Sequence, residues 1–253
     1  MYLRVRLISA ALLLGLAHPV LAEEYYWIKA TNLDCMVWSD EAMEPNEKVT
    51  WSGACANAKV DGRGKLTWTK KGKPFGTYEG VMKAGKFNGI GTIKVVVDGG
   101  TNELTGTFKD GDLIGAGVFK DATGGVYEGE LENGKPHGHG YMKQGDEEYV
   151  GSFENGLRHG YGLSLGPQTA YLGEFDKDVA TGSGILEDEV GGRYHGQFKG
   201  NKPDGFGTYV ASDGAIYQGR FVDGEADGKM MVWSSSSATP VVETWKNGKK
   251  VSQ

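Results

Sequence analysis

A chain of 253 residues with 33 acidic against 27 basic side chains carries a formal net charge of −6, a balance poorly suited to holding nucleic acid or anionic headgroups through bulk charge. Its 42 glycines are more than twice ordinary usage, yet they follow neither a collagen period nor a low-complexity run. They recur at fixed phases, which marks them as backbone punctuation.

The first segment, residues 1–22, reads as a secretory signal peptide: Arg4 and Arg6 precede the apolar run Leu7 to Ala17, and Val20-Leu21-Ala22 supplies small residues for cleavage. The run is too short for an expected membrane anchor, and Glu23 rather than cysteine follows the cut, against a lipoprotein. Loss of Arg4 and Arg6 leaves a net charge near −8. The expected location is therefore exported, to a bacterial periplasm or otherwise secreted. The lack of an Asn-x-Ser/Thr sequon after residue 22 fits the periplasm.

Residues 23–48 form the next expected element, an N-terminal cap. Cys35 and Cys55 are the two cysteines, and in an exported protein a Cys35–Cys55 disulfide is expected, the other reading being two isolated buried thiols. Cross-linked, this segment would be stapled over the open first edge of the strands beyond residue 48, with Trp27, Trp38 and Trp51 as its apolar mass. The rival is a small docking module with Tyr25, Tyr26 and Trp27 facing outward.

From Trp51 to Met230 one phrase recurs eight times: aromatic, any, Gly, any, apolar, two residues, Gly, three residues, Gly, any, Gly. The copies begin at Trp51, Tyr78, Leu104, Tyr127, Tyr149, Tyr171, Tyr194 and Tyr217, settling to a period of 22 or 23 residues. Such self-similarity predicts an array of one small unit rather than a domain with a central cleft. In the copy at Tyr127, alternation over Tyr127, Gly129 and Leu131 predicts a half-buried strand, Asn133-Gly134-Lys135-Pro136 a turn, and Gly138 to Met142 a returning strand. One repeat is then one β-hairpin, and hairpins must pair side by side to be stable. The first-position row and the fifth-position row (Cys55, Met82, Phe108, Leu131, Phe153, Phe175, Phe198, Phe221) share parity and are expected to line one face as core. Glycines at positions 3, 12 and 14 are read as making room for these side chains.

The phrase resembles the MORN (membrane occupation and recognition nexus) repeat, Y-x-G-x-[WF]-x-x-G-x-x-x-G-x-G, over about residues 49 to 250. The fold implied is all-β: an elongated, twisted antiparallel sheet of tandem hairpins, with eight repeats over 49–233 and a C-terminal loop and capping half-repeat over 234–253, where Val241, Trp245 and Gly248 keep phases 1, 5 and 8. Leu104 departs from the first aromatic, Ala58, Asp178 and Asn201 from the turn glycine, and Met230 from the last glycine. The Ala58, Asp178 and Asn201 turns are expected to be distorted, and Met230 to belong to a cap.

Chemistry-bearing residues do not assemble into a catalytic pattern. His137 and His159 share position 11, a row of turn residues, and no metal site is expected. Gly80 to Lys86 and Gly129 to Lys135 mimic a phosphate loop but lack its Ser/Thr and a following helix. No serine or cysteine nucleophile stands beside a base in a sharp turn. The expectation is a non-catalytic protein without cofactor, small-molecule substrate or nucleic-acid partner. The resemblance implies contact with another protein or with itself, the alternative being a peripheral phospholipid-surface protein. The binding surface is expected to draw on Tyr127, Tyr149, Tyr161, Tyr171, Tyr194 and Tyr217.

Overall fold

The computed structural model describes residues 26–39, 42–132, 134–237 and 239–252. The expected signal peptide, Tyr25 and the turn residue Asn133 lie outside the described residues. The described chain is all-β, and it divides into two compact units, the described residues up to 145 and those from 146 onward, each a run of tandem antiparallel hairpins.

The copy at Tyr149 shows how the sequence dictates the hairpin. Strands Glu147–Glu154 and Leu157–Leu165 are joined by Asn155 and Gly156, both left-handed at φ 54° and 92°. Two consecutive positive φ values are what a type I′ turn needs, and its twist matches that of the flanking strands. Tyr149 faces Ser164 and Gly151 faces Gly162, but Phe153 then faces Arg158, so residues 159 to 161 stand opposite Ser152 alone. Gly160, at φ 68°, makes this bulge. Position 12 is therefore glycine for its backbone conformation, and the expectation that it makes room for the core rows holds only for positions 3 and 14; at Gly138, Gly182 and Gly205 the neighbours are the polar side chains of Glu130, Glu174 and Gln197.

The turns lacking glycine are not distorted. Ala58, Asp178 and Asn201 adopt φ values of 59°, 70° and 68°, the conformation their glycine counterparts adopt. Asp178 and Asn201 are held by a bond between neighbouring turns, in which the position 8 amide donates to the position 10 carbonyl of the preceding copy, whereas Ala58, in the first copy, accepts at its carbonyl from the Met36 amide. In the first unit Gly85 N–H reaches Val60 O at 2.9 Å and Gly111 N–H reaches Phe87 O at 3.0 Å. In the second, Asp178, Asn201, Gly224 and Gly248 repeat the contact to Arg158, Ala180, Pro203 and Ala226 at 2.8–3.1 Å. Asp178 is supported further, because its carboxylate accepts from the Arg158 amide and from Arg158 Nε at 2.9 and 3.1 Å. The Arg158 guanidinium in turn lies 4.9 Å from the Phe175 ring centroid. The unusual turn residue and the arginine, at a position that is apolar in the other copies, thus account for one another.

The N-terminal segment makes a hairpin of its own, Tyr26–Lys29 with Met36–Ser39, in which Trp27 faces Trp38. Thr31 and Asn32 cover the outer edge of strand Glu47–Trp51: Thr31 N–H donates to Val49 O, and the Asn32 side chain both accepts from Trp51 N–H and donates to Trp51 O. The Met36 and Trp38 amides reach along the turns to the Ala58 and Gly85 carbonyls, both at 2.9 Å. The cap is therefore bound to the row of turns as well as to the first edge. Cys35 and Cys55 are joined in a disulfide, Cα to Cα 6.2 Å. Cys35 is buried, whereas Cys55, expected in the inward fifth-position row, is exposed. Its strand, Ala54–Ala56, pairs with the start of Lys59–Lys70 beside the N-terminal hairpin, and Val60 opposite it is buried.

Candidate functional site

Tyrosine and glycine together decide which aromatic side chains belong to the core. Glycines 3 and 14 of a copy face each other across the hairpin and form a flat pad, and a Cβ on Gly80, Gly91, Gly151, Gly162, Gly196 or Gly207 would overlap the ring of that copy's tyrosine. The ring lies across the pad with its hydroxyl over the bulge, where a carbonyl is released from the ladder. Tyr78, Tyr127, Tyr149, Tyr171 and Tyr194 donate to the carbonyls of Val81, Glu130, Ser152, Glu174 and Gln197 at 2.6–3.1 Å. Burial pushes the pKa of all five up to about 12.

In the second unit the rings continue into a ladder. Tyr149, Tyr171 and Tyr194 each meet their own copy's phenylalanine and the next one edge to face, at 4.8–5.3 Å between centroids. The fifth-position row from Met82 to Phe221 is buried with them. Where Leu104 replaces tyrosine, the pad of Gly106 and Gly117 is covered instead by Leu113 and Leu131.

This geometry corrects the expected binding surface. Tyr127, Tyr149, Tyr171 and Tyr194 are at most 8% exposed and form the interior face, so they present nothing to a partner. Tyr161, at position 13, is 67% exposed on the opposite face, and Tyr217 is half-buried.

Tyr217 differs because of Met230. Methionine stands where the last glycine of the pad is found in other copies, and its Sδ occupies the space over Gly219. The Tyr217 ring meets instead the Trp245 ring edge to face at 5.7 Å and the Tyr209 ring at 6.4 Å. Beside these rings a cleft of about 510 Å³ opens, floored by Leu186, Pro203 and Phe221, with Asp188 and Glu225 among its lining residues. The Tyr209 hydroxyl donates to Asp188 Oδ2 at 2.8 Å, while the Val190 and Gly192 amides donate to Oδ1. Burial works against the Asp188 charge, but these hydrogen bonds prevail and hold its carboxyl below the usual range. Burial and then the Asp188 carboxylate push Tyr209 up to about 12. Trp245 is fixed by Nε1–H donating to Glu243 Oε2 at 3.0 Å, and Glu243 is paired with Lys250.

A second feature of this unit is an apolar row on the solvent face. Val150, Leu163, Leu172 and Ile185 are cross-strand neighbours in succession, with Val150 and Leu172 more than half exposed, and Tyr161 and Phe206 are exposed on the same face. The histidines stand among turn carboxylates: His137 Nδ1 lies 3.3 Å from Glu132, and His159 lies 3.4 Å from both Glu154 and Asp176. No group of three or more such side chains among the described residues is arranged to hold a metal ion.

Pad, bulge and left-handed turn recur at one spacing, and a model of the MORN repeat matches residues 78–94, 127–146, 149–167, 194–216 and 217–229. The chain carries MORN repeats. The structure adds copies at Trp51, Leu104 and Tyr171, where the sequence departs at a turn glycine or the first aromatic but the hairpin pairing persists. The chain is similar to alsin from Homo sapiens, 30% identical over 176 residues, and to alsin from Rattus norvegicus, 30% identical over 175 residues. Each match covers 68% of this chain and 9% of the relative, so the chain spans only a small part of the curated relatives it matches.

The solvent-face row and the cleft residues Asp188, Tyr209, Glu225 and Trp245 are not among the sequence-derived site residues. Strand parity offered a signal for the row, and Met230 in place of glycine offered one for the cleft.

Proposed function

We propose that this MORN repeat chain is a non-catalytic, exported scaffold that binds another protein, in the periplasm or cell envelope, through the solvent face of its second unit. The observation that carries the reading is the cross-strand row Val150, Leu163, Leu172 and Ile185 with exposed Tyr161 beside it. A contiguous apolar strip on the solvent face of a sheet is a contact surface, since burying it against a partner is favourable at about 25 cal/mol per Å². The Cys35–Cys55 disulfide and the leader-like residues 1–22 support an oxidising compartment.

The test is crosslinking and co-purification from the native envelope fraction, wild type beside a Val150→Lys/Leu172→Lys variant, with liposome flotation run in parallel. Capture of one defined protein that is lost in the variant, without flotation, is the expected result. Flotation of the wild type with no protein captured would replace this reading with phospholipid-surface binding.

A further inference from the structure

The cleft at the end of the second unit has a composition that the scaffold reading leaves unused. Its walls include the rings of Tyr209, Tyr217 and Trp245, and its charged lining residues are two carboxylates, Asp188 and Glu225, with no lysine, arginine or histidine among them. Tyr209, Tyr217 and Trp245 are only partly buried, unlike Tyr194, so their faces are open to a ligand. Ring faces carry negative charge density, and a cation held over them gains most where water is displaced. Asp188 stays ionised because two backbone amides and the Tyr209 hydroxyl hold its charge, so the cleft keeps a fixed negative group at its wall. Glu225 is exposed and forms no ion pair among the described residues, leaving its carboxylate for an incoming cation.

Aromatic faces converging with unneutralised carboxylates complement an organic cation. We propose that this cleft is a binding site for an ammonium or guanidinium group, supplied by a basic side chain of a peptide segment. The cleft's volume, about 510 Å³, exceeds one side chain and suits a short segment. A free quaternary amine offers the same chemistry. The inference does not depend on the solvent-face contact, since the two lie on opposite faces of the sheet.

The test is calorimetric or NMR titration of the chain with trilysine, triarginine and choline, beside neutral triglycine. Saturable binding of a cationic probe and none of triglycine is expected. Glu225→Gln should weaken it by roughly fivefold and Tyr217→Leu, which keeps an apolar side chain, by roughly tenfold. Glu128→Gln in the first unit makes the same charge change at an exposed site and should leave binding unchanged. Tighter binding of the peptides than of choline assigns the site to a protein segment, and the reverse to a small amine. Absence of saturable binding, equal binding of triglycine, or equal losses in Glu225→Gln and Glu128→Gln would overturn the proposal.

Discussion

The copies beginning at Tyr194 and at Tyr217 share a turn, a bulge and a fifth-position phenylalanine, yet one tyrosine is core and the other lines a cleft. Tyr194 lies on the pad of Gly196 and Gly207, is 2% exposed and hydrogen-bonds Gln197 O. Tyr217 has only Gly219, because Met230 fills the other half of its pad, and its ring turns to Trp245 and Tyr209. The lesson is that the aromatic residue of this repeat does not choose its own environment. The glycine facing it across the hairpin does, by giving or withholding the space in which the ring can lie flat.

Truncating the two rings should separate the copies most widely. Tyr194→Ala removes a buried ring from the ladder and should cost about 3–5 kcal/mol, whereas Tyr217→Ala should cost about 1–2 kcal/mol, both read from denaturant unfolding. Equal losses would mean that both rings are equally packed. The disulfide should come next: reduction of Cys35–Cys55, which closes a short loop at the first edge, should cost about 3 kcal/mol and promote association through strand Glu47–Trp51. Gly207→Ala should cost about 2–3 kcal/mol, since the added Cβ displaces the Tyr194 ring. Tyr194→Phe leaves the Gln197 carbonyl without its donor and should cost about 1 kcal/mol, against little change for Tyr217→Phe, whose hydroxyl makes no such bond among the described residues.

At neutral pH the smallest effect is that of tyrosine ionisation, which acts only in alkali. Five pad tyrosines have native pKa values raised to about 12 by burial, against an unfolded value near 10. The unfolded chain therefore loses phenolic protons first as pH rises. Stability from this source is fully present below pH 10 and is lost as pH climbs towards 12. A share of the phenolate absorbance that appears only with unfolding above pH 10 would bear this out, and full ionisation of the folded chain near pH 10 would contradict it.

Much of the fold was legible because it rests on residues repeated at one phase. Period-two parity gave the buried rows, and glycine or asparagine at the turns gave the hairpins. The turns at Asp178 and Asn201 misled because their support comes from the neighbouring copy, through amide bonds and Arg158, and the turn at Ala58 because its partner is Met36 of the N-terminal hairpin; no single repeat displays either. Cys55 misled because the disulfide and the N-terminal hairpin override its phase. The same parity that buried the first-position tyrosines should have removed Tyr127, Tyr149, Tyr171 and Tyr194 from the surface and pointed to positions 2, 13 and 15. Those positions vary from copy to copy, so Val150, Leu172 and Tyr161 gave no repeating signal. The cleft was hidden further, since Tyr209 and Asp188 lie outside the phrase and Met230 acts through the ring it displaces.

The most direct measurement is the structure of a Met230→Gly variant, by crystallography or by NMR contacts of the Tyr217 ring. With the pad restored, Tyr217 is expected to lie across it, donate its hydroxyl to the Arg220 carbonyl and leave Trp245, remodelling the aromatic wall of the cleft while the hairpins remain. A Tyr217 ring unmoved beside Trp245 and Tyr209 would contradict the claim that paired glycines decide which tyrosines are core.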